Sequence, residues 1–172
     1  MKATKTKTKE DRTDNDKVLR EHVLYLLEGG GAHAKFDEVV AGIPPKLFGQ
    51  KPAGLPHSLW MLLEHLRIAQ WDILEFSRNP KYTSRKWPEE YWPKTDAPPS
   101  PAAWNASVKK FHQDLKAMQK LVKEPETDLF ARVPWGDGQT ILREALLLAD
   151  HNAYHLGQML DVRRLLGAWP EK

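Results

Sequence analysis

The sequence predicts an all-α fold, a four-helix bundle. Three observations carry this expectation. Four long segments place apolar residues at steps of three and four. No stretch alternates apolar and polar residues at period two, so no strand is expected. Proline-rich, irregular connectors separate the helical segments. The 172 residues suit one domain with one sizeable core, expected over 14–172 behind a disordered basic tail at 1–13.

Asp14 or Asp16 is placed to cap a first helix running to about Glu28, with Val18/Leu19, His22/Val23 and Leu26 on one stripe. Gly29-Gly30-Gly31 ends it, because glycine accepts the left-handed backbone that closes a helix. A short helix is expected at Ala32–Ala41, then a connector from Ile43 to Pro56 that is too rich in proline to be regular.

A second long helix should run from about His57 to Arg78, burying Leu62, Leu66, Ala69, Ile73 and Phe76. Asn79-Pro80 stops it. The third begins near Ser100-Pro101, a capping residue followed by proline at the first helical position. Its stripe is Trp104, Val108, Phe111, Leu115, Met118 and Val122, and Pro125 lies just beyond its end. The fourth starts near Gln139-Thr140 and reaches Leu166, with Gly167 closing it.

Connector length carries topology. A 22-residue helix is about 33 Å long. The connector at 79–99, extended, reaches roughly 70 Å. It is long enough to return along the bundle and leave the second and third helices parallel, a known variant with a long crossover.

Charge and composition exclude several functions. The net charge is +3, but Lys2, Lys5, Lys7 and Lys9 supply four positive charges before any acid appears. The rest of the chain is therefore slightly acidic, which disfavours nucleic acid as a partner. No run approaches the roughly 18 apolar residues of a membrane span, so no membrane partner is expected. The charged N-terminus is not followed by an apolar segment and does not read as a secretory signal. There is no cysteine, which excludes disulfides, thiolate ligands and a cysteine nucleophile. A cytoplasmic location is the expectation.

Chemistry concentrates in Asp150-His151-Asn152-Ala153-Tyr154-His155-Leu156-Gly157-Gln158. His151 and His155 are four apart on a helix, so both imidazoles lie on one face, one turn apart, where they can share a metal. Asn152 stands where the zinc-protease pattern His-Glu-x-x-His has its glutamate base, which argues against that mechanism. Helical geometry ranks the third ligand. His65 sits among Leu62, Leu66, Ala69 and Ile73 and faces the core, whereas His57 falls about 140° from Leu62. His112 lies on the flank of its stripe, and His22 lies on the apolar side of the first helix. His33 and Asp37 are also spaced by four, but on a short segment expected to be exposed. His65, His151 and His155 are therefore the expected ligands, leaving open positions as in a catalytic site. Imidazole suits nickel or zinc better than calcium or magnesium.

Glu144, two turns before His151, is a candidate acid or base beside the site. Asp150 points about 100° away from His151 and is not expected to be a ligand. Trp87, Tyr91 and Trp92 are expected to cover the bundle side, line a pocket mouth or form a homodimer contact. Gly29-Gly30-Gly31 lacks the Lys-Ser/Thr of a phosphate-binding loop, and no Ser/His/Asp signature is visible.

His65 within Leu62-Leu-Glu-His-Leu66, followed by His151-x-x-x-His155-Leu-Gly-Gln158 and Arg163-Arg-Leu-Leu-Gly167, resembles the DinB-like superfamily over residues 16–168. The resemblance implies a bundle of up-down-down-up topology and a divalent metal, often nickel or zinc, on the three histidines. It also implies kinship with transferases and isomerases that use low-molecular-weight thiols. The Gly29-Gly30-Gly31 insert, the short extra helix and the Trp-rich connector depart from simpler members. The leading expectation is a metal-dependent enzyme on a small molecule. One version is S-transfer with a borrowed low-molecular-weight thiol and the other is hydrolysis. The alternative is a non-catalytic metal-binding stress-response or binding protein.

Overall fold

A computed structural model describes residues 9–170. It contains five α-helices: α1 (Lys9–Leu27), α2 (Phe36–Val40), α3 (Leu59–Arg78), α4 (Pro101–Lys123) and α5 (Ile141–Leu165), with a 3-10 turn at Pro45–Leu47. No strand occurs among the described residues; one isolated antiparallel bridge joins Arg132 to Thr140. No described helix is long and apolar enough to cross a membrane.

The helix ends are set by local chemistry. The hydroxyls of Ser58, Ser100 and Thr140 accept the Met61, Ala103 and Arg143 N–H groups and cap α3, α4 and α5. Gly167, at φ +64°, closes α5, with Ala168 N–H donating to Arg163 O and Gly167 N–H to Arg164 O. The start of α1 differs from the expectation. It begins at Lys9, so residues 9–13 of the expected tail are helical; residues 1–8 lie outside the described residues. No glycine or proline interrupts Lys9–Asp14, and Asp16 accepts a hydrogen bond from Arg20 at 2.7 Å instead of capping.

Helix α3 packs on both α4 and α5, and α1 packs on the same two. One apolar cluster gathers Phe36, Phe48, Leu62, Trp104, Phe111 and Met159. Phe36 stacks on Phe111 at 3.8 Å and Phe48 on Trp104 at 4.0 Å. A second joins Val23 and Leu27 of α1 to Leu74, Met118, Val122 and Leu148. Buried polar groups tie the helices at fixed heights. Ser107 donates to Glu64, Gln70 donates to Phe111 O at 2.7 Å, and Asn152 donates to Gln70 Oε1 at 3.0 Å. Arg20 reaches from α1 to the carbonyls of Val122, Glu124 and Thr127 at the end of α4.

The buried face of α1 runs through Arg20, Val23 and Leu27, which turns His22, expected on the apolar side, out to solvent. His57 also departs from expectation: it precedes α3 instead of riding on it, and stacks on Trp92.

Candidate metal centre

The three expected histidines converge. His65 comes from α3 and His151 and His155 from successive turns of α5. His65 Nε2 lies 3.1 Å from His155 Nε2 and 3.2 Å from His151 Nε2. One nitrogen from each ring lies within 4.8 Å of the other two, the one such group among the described residues. His65 is 2% exposed and His155 8%, while His151 is partly buried. Leu62, Leu66 and Ala69, buried around it on α3, place His65 inside the helix packing, so its depth follows from the apolar stripe itself.

Hydrogen bonds set two of the three tautomers. His65 Nδ1–H donates to the Tyr91 carbonyl at 2.9 Å, and His155 Nδ1–H donates to Gln158 Oε1 at 2.7 Å. A neutral imidazole has one N–H and one lone pair. Both Nε2 atoms therefore present lone pairs to each other at 3.1 Å with no proton between them. Burial and the neighbouring imidazoles push His151 down to about 3 and His155 down to about 4, and burial also lowers His65. A neutral His151 with its proton on Nε2 satisfies His65 Nε2 alone and leaves His155 Nε2 facing a lone pair, whereas a metal cation would engage all three nitrogens. With metal–nitrogen bonds of about 2.0–2.1 Å, nitrogens at this spacing subtend about 100°, between octahedral and tetrahedral angles. The residues present fit a divalent ion. His151 Nδ1 is buried without a partner, one of several such atoms among the described residues.

The 79–99 connector supplies the wall over this centre. The Trp92 ring is sandwiched between His65 at 4.0 Å and His57 at 4.1 Å, nearly parallel to both. Of the four connector aromatics, Tyr82, Tyr91 and Trp92 are partly buried and Trp87 alone stands in solvent, 68% exposed. The histidines open onto a cavity of about 610 Å³. Its lining also includes Asp72, Tyr82, Tyr91 and Glu144. Asp72 is buried and accepts hydrogen bonds from Tyr91 OH at 2.6 Å and from Tyr82 OH at 3.1 Å. Burial, then the Asp72 charge, pushes the Tyr82 hydroxyl up to about 12. Glu144 is 2% exposed and bonded to Arg143 at 2.7 Å; burial holds its carboxyl above the usual range despite that partner. Glu144 lines the same cavity as the histidines.

The remaining candidates lie elsewhere. Asp150 is exposed. His33 is exposed and bonds the Ala34 carbonyl. His112 pairs with Asp37 at 2.8 Å. Sequence reasoning did not find Asp72, although it sits seven residues after His65 and so on the same face of α3. It also missed the Tyr91 carbonyl, for which no side-chain pattern exists.

Residues 31–159 match the family model of the DinB superfamily. This chain belongs to the DinB superfamily. No curated protein and no solved structure matches it. The matched span of this DinB chain contains His65, His151 and His155, which the structure brings together.

Proposed function

We propose that this DinB-superfamily chain is a metal-dependent enzyme in which His65, His151 and His155 hold one divalent ion, nickel or zinc. The observation that carries the reading is the pair of Nε2 lone pairs facing each other at 3.1 Å, each fixed by a hydrogen bond on the opposite side of its ring. A divalent ion there would act as a Lewis acid, lowering the pKa of a thiol or water ligand. The chain itself contains no thiol, so S-transfer requires a low-molecular-weight thiol cosubstrate. The cavity beside the histidines supports a small-molecule substrate over a purely sensing role. Glu144, buried on that cavity with its carboxyl raised by burial, is the candidate proton-transfer group in this reading.

The reading extends to topology. Glu64 meets Ser107 and Gln70 meets Phe111, so numbers rise together along α3 and α4. His65 meets His155 and Gln70 meets Asn152, so they oppose along α3 and α5. Arg20 meets Val122, while Leu27 shares a small cavity with Phe111 and Leu115, so they oppose along α1 and α4. These pairings support an up-down-down-up four-helix bundle in which 79–99 is the crossover. Assembly as a homodimer through exposed Trp87 and a cytoplasmic location belong to the same proposal.

Elemental analysis of the purified protein tests the centre. One equivalent of divalent metal is expected in the parent and in His57→Ala, which removes no ligand. His65→Ala and His155→Ala should lose it. Stoichiometric metal retained by His155→Ala sinks the assignment. A screen pairing low-molecular-weight thiols with electrophiles, run beside ester hydrolysis, then separates S-transfer from hydrolysis. Inactivity of the loaded protein in both favours the non-catalytic metal-binding alternative.

A further inference from the structure

We propose that Tyr91 is a positioning residue for His65, acting as a two-point strap that ties the connector to α3 and so dictates which nitrogen of His65 is free. The inference rests on the three-histidine reading above. Its backbone carbonyl accepts the His65 Nδ1–H at 2.9 Å, and its hydroxyl donates to Asp72 at 2.6 Å. His65 and Asp72 lie seven residues apart on α3, about 10.5 Å along the axis. One residue thus spans two turns of the helix that presents a metal ligand.

Two constraints act on the His65 ring, and they do different things. Stacking against Trp92, at 4.0 Å and 2° from parallel, fixes the ring plane. It does not decide which nitrogen carries the proton. The Tyr91 carbonyl decides that, because it places an acceptor at Nδ1 and leaves the Nε2 lone pair toward His155 and His151.

That carbonyl belongs to a segment without regular structure, and its position depends on how the segment is held. Residues 86–90 before it are exposed. Their hydrogen bonds are internal to the connector: Glu90 N–H to Lys86 O, Tyr91 N–H to Pro88 O, and Lys86 N–H to the Glu90 carboxylate. Such bonds shape the segment but do not attach it to α3. The short Tyr91–Asp72 bond does, from the same residue that supplies the carbonyl.

Tyr82 provides the internal contrast. Its hydroxyl also donates to Asp72, at 3.1 and 3.2 Å, but its backbone N–H bonds Asn79 O and no atom of it bonds His65. Removing the Tyr82 hydroxyl takes the same kind of bond from the same carboxylate without touching the strap.

The test is calorimetric titration of metal-free protein with nickel ion, alongside nitrogen-15 NMR of the His65 ring. Tyr91→Phe should bind nickel at unchanged stoichiometry about tenfold more weakly, the low end for outer partners of metal-bound histidine. Its metal-free form should show a smaller fraction of the Nδ1–H tautomer at His65. Tyr82→Phe should match the parent in both. In an Asp72→Leu background, Tyr91→Phe should have no further effect, since the two act through one bond. Equal affinity and equal tautomer populations in Tyr91→Phe and Tyr82→Phe would overturn the proposal. So would additive effects of Tyr91→Phe and Asp72→Leu, which is decisive if Tyr91→Phe alone weakens the fold. Failure of the parent itself to take nickel or zinc counts against the three-histidine reading instead, and the tautomer measurement on metal-free protein still decides the strap.

Discussion

Acidifying the metal-free protein should destabilise it through the histidine cluster. His151 is pushed down from 6.5 to about 3 and His155 from 6.5 to about 4, burial being the main cause in both. In the unfolded chain both rings return to about 6.5. Between pH 6.5 and 4 the unfolded state therefore binds up to two more protons than the folded state. Stability is full above pH 6.5, falls as pH drops through that window, and stops falling once the folded rings protonate. At pH 5.5 each ring contributes about 1.4 kcal/mol of loss, so the two contribute about 3 kcal/mol relative to pH 7.5. The rings touch, so the slope belongs to the cluster and not to either member. Urea denaturation in a chelating buffer at pH 7.5 and 5.5 measures this directly, and a His151→Gln/His155→Gln protein should lose most of the difference. If parent and double variant destabilise equally on acidification, burial is not holding these imidazoles neutral and the reasoning is wrong. Divalent metal should protect the parent down to about pH 4, because neutral rings bind it and the folded rings stay neutral to that point.

Two further changes probe the scaffold. A Cβ on Gly49 would lie 2.4 Å from Ala97 Cβ and 2.9 Å from Ala97 Cα, so Gly49→Ala should cost about 1–3 kcal/mol and lower Tm by several degrees; an unchanged melt would mean that the connector does not approach this closely. Arg20→Met removes the donors to Val122, Glu124 and Thr127 carbonyls and should cost about 2–3 kcal/mol in urea, whereas parental stability would show that water replaces those bonds without penalty.

What was legible in the sequence was local. Ser100, Thr140, Gly29 and Gly167 mark helix ends because capping and left-handed backbone need only neighbours in the chain. His65 could be placed in the core because a 3.6-residue stripe surrounds it. Of the expected α1 stripe, Val18/Leu19, His22/Val23 and Leu26, Val23 is buried and Leu19 partly so, while Val18, His22 and Leu26 are exposed, because the buried face includes Arg20, a cation that hydropathy assigns to the surface. Its burial depends on carbonyls more than a hundred residues away, which no local pattern contains. The same reason hid the Tyr91 carbonyl and Asp72: their role exists only once the connector lies on α3.

The buried amides show how the site depends on such long-range terms. His65 can meet His151 and His155 only if α3 and α5 keep one register. Apolar packing alone specifies register weakly, because neighbouring slips also bury leucines. Gln70, one turn and a residue beyond His65, donates to Phe111 O of α4 and accepts from Asn152 of α5. A slip of either helix would leave these amides unpaired in the core, at about 1–3 kcal/mol for each stranded group. Asn152 is adjacent to His151, so the clamp acts within one residue of a ligand. This also accounts for asparagine where a zinc protease has its glutamate base: the side chain points at Gln70 and does not line the cavity. The buried polar pair thus aligns the helices that carry the histidines, and any acid–base work falls to groups such as Glu144 on the cavity wall.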